Sequence, residues 1–354
     1  MLHQLHLQNY RCFNDCTFTF GEATVVVGKN NAGKSTLVEA LELVSTVVNR
    51  KSATFAYPPN WLDVPKFSRG IAPSISHLGL DLTTVFHRYG DPPAKIIATF
   101  GKGVTVTLYI GEEQALYATI QVKSDWVRSS GQFTALSLPW LYVLPQVGPL
   151  VSNESMLTND YIRQNLYTRL SSRHFRNQLW RSPQSFPDFK ALAEGTWHGL
   201  RLQKVERSTT REGTTLSMLV RDGDFVSEAA WMGHGLQMWL QTIWFVSRTT
   251  PNSTVVLDEP DVYMHPDLQR KLFRLLRGRF AQCIVATHSV EIMAEADPSE
   301  ILVVDKSQRR SRFAGGAYVL TYFVGMYAPL ADRALHRGFL HALRRTPHLS
   351  RSGW

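Results

Sequence analysis

No stretch of about 18 uncharged apolar residues occurs in the 354-residue chain, so a membrane-crossing helix is not expected. The N-terminus lacks a charged segment followed by an apolar one, the design of an export signal, and the expectation is a cytoplasmic protein with no membrane partner. Cysteine is scarce. Cys12, Cys16 and Cys283 form neither a disulfide ladder nor a zinc spacing, and Cys283 falls in an apolar run read as a buried strand. There is no internal repeat, and no heptad pattern is long enough for a coiled-coil arm. Negative charge is missing from the C-terminal end. From Lys306 onward nine of the chain's 38 Lys and Arg stand with one of its 29 acids, Asp332, which leaves 29 basic and 28 acidic residues in 1–305. A segment with one carboxylate cannot assemble a two-metal hydrolytic site. What remains is globular composition, 44% hydrophobic and 19% charged, with enough chain for a large core.

The strongest positive feature is Gly28-Lys29-Asn30-Asn31-Ala32-Gly33-Lys34-Ser35-Thr36. It is a G-x-x-x-x-G-K-[ST] loop between the apolar run Thr24–Val27 and the helix-like stretch Leu37–Val48. Glycines there let successive N–H groups point at phosphate oxygens, a helix beginning near Lys34 adds its positive end, and the Lys34 ammonium reaches the β- and γ-phosphates. Ser35 is the expected Mg2+ ligand. The chain is therefore expected to bind a nucleoside triphosphate. A second apolar run, Thr254–Leu257, ends in Asp258 and Glu259. Adjacent residues at a strand end point to different sides, so Asp258 can hold Mg2+ through water while Glu259 orients and deprotonates the attacking water. A third run, Gln282–Ala286, leads into Thr287-His288-Ser289. A lone strand-end histidine is usually structural, but beside these two motifs His288 becomes a candidate for contact with the γ-phosphate.

These runs are β-branched and short, as is Ile301–Asp305, and helix-length segments such as Pro266–Phe280 join them. That rhythm predicts a parallel sheet with right-handed crossovers and a phosphate site at the strands' carboxyl ends. An antiparallel lobe is expected from Leu5–Phe20 and from Leu78–Val122, where Ile96–Phe100, Val104–Ile110 and Leu116–Val122 read as strands between Gly-containing turns. Thr215–Val220 and Asp224–Glu228 read as a hairpin around Asp222-Gly223. Residues 53–76 read as a long loop.

In order, the segments Leu5–Phe13, GKNNAGKST, LDEPDVYMHPDLQRKL and VATHSVEIM resemble the ATP-binding-cassette-type ATPase heads of the RecF, structural-maintenance-of-chromosomes (SMC) and overcoming-lysogenization-defect (OLD) families. The OLD-like group is the nearest match. The resemblance covers 1–50 and about 225–310, and it covers the middle poorly. It implies an α/β P-loop NTPase of ABC-ATPase-head type: a mostly parallel core sheet, an antiparallel β lobe and a helical insertion. It also implies ATP and Mg2+ as cofactors and two heads clamping two ATP molecules head to tail. Glu259 would be the catalytic base, His288 the γ-phosphate switch and Arg11 a phosphate contact. Each nucleotide would be touched by a signature segment from the other head, here Gly233-His234-Gly235. Related heads place a serine where this chain has Gly233-His234, so a hydroxyl contact is missing; a plain helix-entry turn is the competing reading. Gln146, after Leu141–Leu144, stands where such heads carry a metal- or water-sensing glutamine, and an ordinary turn competes there too. In OLD-like proteins a metal-dependent TOPRIM nuclease domain follows the ATPase, and its clustered carboxylates have no counterpart after residue 310.

The expected organisation is a split head over 1–310, with core segments 1–52 and about 213–310. Residues 53–145 form an antiparallel and loop insertion, 146–212 a basic helical lobe and 311–354 a basic tail. Arg163, Arg169, Arg173, Arg176, Arg181, Lys190, Arg201, Lys204, Arg207 and Arg211 are interleaved with Tyr161, Tyr167, Phe175, Trp180 and Trp197. This lobe reads either as a nucleic-acid or partner surface or as a solvated basic face. The tail reads as a nucleic-acid-binding extension, a docking element for a separate effector or a truncated end. Two functions stay open. One is an ATP-hydrolysing, dimerising switch that acts on DNA or controls a partner effector such as a nuclease or toxin, in phage defence or genome maintenance. The other is a non-hydrolysing ATP sensor or scaffold. A transporter subunit is disfavoured because the chain has no LSGGQ string.

Overall fold

The protein is described here from a computed structural model, which covers residues 1–75, 78, 81–144, 146–165, 171–211, 213–309 and 312–313. Two six-stranded sheets dominate. The first is antiparallel and runs β2-β1-β4-β5-β6-β7, with β1 Leu2–Tyr10, β2 Phe13–Thr19, β4 Ala94–Phe100, β5 Val104–Ile110, β6 Leu116–Val122 and β7 Asp125–Trp126. The second runs β18-β17-β3-β16-β15-β8, with β3 Ala23–Val27, β8 Leu141–Leu144, β15 Thr254–Asp258, β16 Gln282–Ala286, β17 Ile301–Val303 and β18 Arg312–Phe313. Its strands are parallel except β18, which pairs antiparallel with β17.

Strand alternation divides the parallel sheet's side chains between two cores. Val26, Val256 and Ile284 join the core that contains α1 (Lys34–Val48) and the antiparallel sheet. Val25, Val27, Val255, Leu257 and Val285 join the other core. There they meet Trp239, Trp244 and Phe245 of α6 (His234–Arg248) and Leu272, Phe273 and Leu276 of α7 (Pro266–Arg279). Helix α1 lies between sheets, which is why Val38, Ala40, Leu41, Leu43, Val44 and Val47 are all buried rather than one stripe of them. Its C-terminus is pinned to β8, with Asn49 donating to the Leu141 carbonyl (2.7 Å) and accepting from its N–H (2.8 Å). Helix α7 is the amphipathic opposite: Pro266 opens it, Asp267 lies in its first turn and Arg277 and Arg279 in its last, complementing the helix dipole.

Two expectations need correction. The hairpin assigned to Thr215–Val220 is split at Met218. β12 (Gly213–Ser217) pairs with β11 (Glu206–Thr210) and β9 (Glu154–Ser155), whereas β13 (Leu219–Asp222) pairs with β14 (Phe225–Glu228) and β10 (Leu200–Leu202). The lobe expected to be helical is mixed. It carries short helices α3 (Asn159–Gln164), α4 (Phe175–Arg181) and α5 (Phe186–Thr196) together with strands of two three-stranded sheets, and Phe175, Phe186 and Phe189 share a core with α6. Arg169 and Tyr167, and the tail from 314 onward, lie outside the described residues. Among the described residues the other α-helices are α2 (Ser130–Ala135) and α8 (Val290–Glu295). No helix among the described residues is long and apolar enough to cross a membrane.

Candidate functional site

The register of the parallel sheet assembles the site. Val26 pairs with Ala286, and Ala286 pairs with Asp258, so the residues leaving β3, β16 and β15 emerge side by side at the carboxyl edge. Two backbone bonds lock the exits: Thr287 N–H donates to the Val26 carbonyl (3.1 Å) and Glu259 N–H to the Ala286 carbonyl (2.8 Å).

The loop after β3 depends on its glycines. A Cβ on Gly28 would lie 2.8 Å from the Val304 carbonyl oxygen and 3.0 Å from Ala32 Cβ. Gly33 has φ +110, and a Cβ there would lie 2.4 Å from a Phe13 ring carbon, so no L side chain fits. Asn31 sits at φ 62, a left-handed conformation that Asn tolerates. Lys29, Asn30, Asn31 and Ser35 are exposed, Ala32 is buried and Thr36 half-buried. Lys34 begins α1 and is 6% exposed.

Lys34 Nζ is 3.3 Å from the Gly28 carbonyl, 2.5 Å from His288 Nε2 and 3.6 Å from Glu259 Oε1. An ammonium only donates, so Nε2 accepts and the ring proton belongs on Nδ1. Burial and the neighbouring ammonium hold His288 below the ordinary imidazole range, consistent with a neutral ring. Glu259 Oε1 lies 3.5 Å from the same Nε2. Burial, Asp261 and Asp258 push the Glu259 carboxyl up to about 7, against the opposing pull of Lys34. Glu259 adopts φ 46, an uncommon conformation for a residue with a side chain and one found at functional turns. A carboxylate poised near neutrality can both take and release a proton.

Asp258 ends β15 buried, at 8% exposure, while Ser35 lies in the first turn of α1, just after the loop. A hydroxyl and a carboxylate are hard oxygen donors suited to Mg2+. No described cluster of three or more His, Cys, Asp and Glu could hold a metal, so a cation here would take the rest of its shell from phosphate oxygens and water. The glycine cradle and the Lys34 ammonium fit a bound nucleoside triphosphate.

Other expected residues are placed less centrally. Gln146 is exposed, just past β8, whose Leu144 pairs with Leu257 beside the acid pair. Gly233 caps α6, and His234 and Gly235 begin it. They pack against Tyr263: the His234 and Tyr263 rings are 5.3 Å apart, and a Cβ on Gly235 would lie 2.8 Å from the Tyr263 carbonyl. Arg11 is engaged elsewhere than at a phosphate. Its Nε and Nη2 donate to the two oxygens of Glu39 (2.6 and 3.1 Å), and Nη2 also donates to the Asp81 carbonyl (2.6 Å). The cause is Glu39 itself, a buried carboxylate on α1 that also accepts from Tyr10 Oη at 2.5 Å.

The sequence reading missed two neighbours of the site. Asp261 accepts from Thr287 Oγ1 and is raised in pKa, chiefly by burial; Thr287 Oγ1 in turn accepts from Ser289 N–H (2.8 Å). The third carboxylate in Asp258-Glu259-Pro260-Asp261 was the available signal. Thr287 was readable only as the neighbour of His288.

Residues 23–294 match the family described as "AAA domain, putative AbiEii toxin, Type IV TA system". The chain is 35% identical over 357 aligned residues to the OLD nuclease of Thermus scotoductus (strain ATCC 700910 / SA-01), an alignment covering 88% of this chain and 63% of that protein. It thus spans under two thirds of that relative's length. Two solved structures share the fold. One is an Smc head bound to the C-winged helix domain of ScpA (TM-score 0.53, 13% identity, 88% of this chain and 96% of that one). The other is an Smc head with an extended coiled coil bound to the C-terminal domain of ScpA, derived from Pyrococcus furiosus (TM-score 0.53, 12% identity, 92% and 99%). With a phosphate loop, an acid pair and a histidine meeting at one sheet edge, and with the family match spanning most of the chain, the protein belongs to this AAA-domain family; it is similar in sequence to the OLD nuclease and shares the fold of the Smc heads.

Proposed function

We propose that the protein binds ATP with Mg2+, closes head to tail with a second copy and hydrolyses the nucleotide. On this reading it is a switch that acts on DNA or controls a partner effector, in phage defence or genome maintenance. The observation that carries the reading is the convergence of Lys34, Glu259 and His288 on one another at the carboxyl edge of the parallel sheet.

In this scheme the loop N–H groups and Lys34 hold the β- and γ-phosphates, Ser35 and Asp258 would hold the cation, and Gln146, in the segment after β8, would sense the metal or its water. Bound Mg2+ neutralises charge developing on the phosphate oxygens. Glu259, lifted toward neutrality by burial, takes the proton of the attacking water. His288 is neutral and accepts from Lys34 when no phosphate competes. When Lys34 turns to a phosphate, that ring nitrogen is released, which gives the site a response to the nucleotide's presence. Gly233, His234 and Gly235 would meet the second copy's nucleotide through backbone N–H groups and an exposed imidazole rather than a serine hydroxyl.

The test is steady-state ATP turnover with and without Glu259→Gln, together with light scattering in ATP. Hydrolysis by the wild type and an ATP-dependent dimer of the variant are expected. A protein that binds ATP and dimerises but does not turn it over would support the sensor reading instead.

A further inference from the structure

A buried polar strut joins the loop after β8 to the turn that starts α6. Its centre is Arg176 on α4, which is fully buried although its sequence context reads as part of a basic surface. Nε and Nη2 of Arg176 each donate to one oxygen of Glu228 at 2.7 Å, a planar fork that lysine cannot reproduce. Nη1 donates to the Val151 carbonyl (3.0 Å) and to Glu154 (3.2 Å). Glu154 also accepts from the backbone N–H groups of Arg176 (3.0 Å) and Asn177 (2.7 Å).

Glu228 is the outward end of this strut. One of its oxygens accepts from Met218 N–H (3.1 Å) and the other from Ala230 N–H (2.8 Å), which caps the 3-10 turn Ala229–Trp231. From the far side, Gln237 of α6 donates to the Ala230 and Met232 carbonyls (2.9 and 2.7 Å) and accepts from Leu150 N–H (2.8 Å). Gln241 donates to the Gly148 carbonyl (2.9 Å). The segment leading into Gly233 is therefore clamped from both sides. Ala229 and Met232 are buried, yet Trp231 between them is 72% exposed. An exposed segment held this firmly is preorganised for contact rather than free to adjust. The same strut reaches residues 148–151, which follow Gln146.

We infer that Arg176 and Glu228 are positioning residues, which fix the pose in which Gly233, His234 and Gly235 meet the ATP of a second copy. The inference rests on the head-to-tail reading above. It assigns to the lobe a task distinct from nucleotide capture: both residues act through the Ala229–Met232 turn, and neither touches the phosphate loop's ligand.

The experiment compares the Glu259→Gln protein with the same protein carrying Glu228→Gln or Arg176→Lys. Glu228→Gln keeps the shape but removes one acceptor and the charge. Arg176→Lys keeps the charge and removes the fork; should it fail to fold, Glu228→Gln decides. Sedimentation in saturating ATP reads the dimer dissociation constant, and calorimetry on dilute protein reads ATP affinity. The dimer constant is expected to weaken about tenfold or more, from losing hydrogen bonds to a charged group, while ATP affinity stays within about twofold. Undiminished dimerisation overturns the inference. So does a parallel loss of ATP affinity, which marks general loosening of the fold. If the Glu259→Gln parent itself stays monomeric in ATP, the head-to-tail reading fails, and this inference fails with it.

Discussion

Lys34 and Arg176 are both buried cations, but in opposite circumstances. Lys34, at the sheet edge, has two hydrogen-bonding partners, Gly28 and His288, and a carboxylate at 3.6 Å. Arg176, in the lobe, makes four side-chain hydrogen bonds, two of them at 2.7 Å to one carboxylate. A cation that meets one carbonyl, one imidazole and a carboxylate beyond hydrogen-bond distance keeps capacity for a ligand; one saturated from within can only hold structure together. The same residue class thus marks a binding site in one region and a framework in the other, and the difference lies in the partners.

The largest expected effect tests the framework. Arg176→Ala leaves the buried Glu154 and the partly buried Glu228 without their cation, which should cost about 3–5 kcal/mol of stability, read as a lowered urea midpoint. A loss well under 1 kcal/mol would place Arg176 in the same class as Lys34. The converse is Lys34→Ala, expected to weaken ATP binding by about 10²-fold or more while the apo unfolding midpoint barely moves, since no neighbour replaces a flexible ammonium at the phosphates. Calorimetry and circular dichroism on one preparation separate the two effects. Retained ATP affinity would break the comparison from the other side.

Glu259→Gln sharpens the distinction within the site. It cannot take a proton at neutral pH, so turnover should fall by about 10²-fold with ATP binding preserved. A variant turning over at the wild-type rate would remove Glu259 as the base. The smallest effect is on apo stability. The Glu259 carboxyl moves from an ordinary 4.5 to about 7 on folding, so between those values the folded state binds more protons than the unfolded one. The stability this group contributes is full below pH 4.5 and lost as pH rises through 7. Glu259→Gln, which does not titrate, should therefore gain on the wild type by about 1 kcal/mol or more between pH 4.5 and 7.5, after allowance for solvent screening of a partly exposed group. Melting curves at the two pH values check the sign. An unchanged gap would mean that Glu259 is solvated in the apo protein.

Legibility followed the range of the interactions. β3, β15 and β16 were readable because continuous β-branched runs have no other way to be buried. The phosphate loop was readable because Gly28 and Gly33 occupy positions where a Cβ would strike Val304 or Phe13. The pairing of Arg11 with Glu39 was not readable because the two are 28 residues apart on different elements. Arg176 was read as surface because ten basic residues in one stretch carry no sign of which one turns inward. The split of Thr215–Val220 between two sheets was hidden for the same reason: pairing with Glu154 or with Leu202 is decided across the fold.

By itself the sequence determined the local chemistry: a glycine-shaped anion cradle with Lys34 and Ser35, an acid pair at a strand end, and a histidine after another strand. Each follows from residue type and from neighbours a few positions away. Only the tertiary structure decided which groups meet. The β3-β16-β15 register brings Lys34, Glu259 and His288 within 3.6 Å of one another. Burial, with Asp261 and Asp258 close by, then pushes the Glu259 carboxyl up to about 7. The cause is physical: electrostatic and desolvation effects depend on distance and enclosure, and chain order specifies neither until the strands have paired.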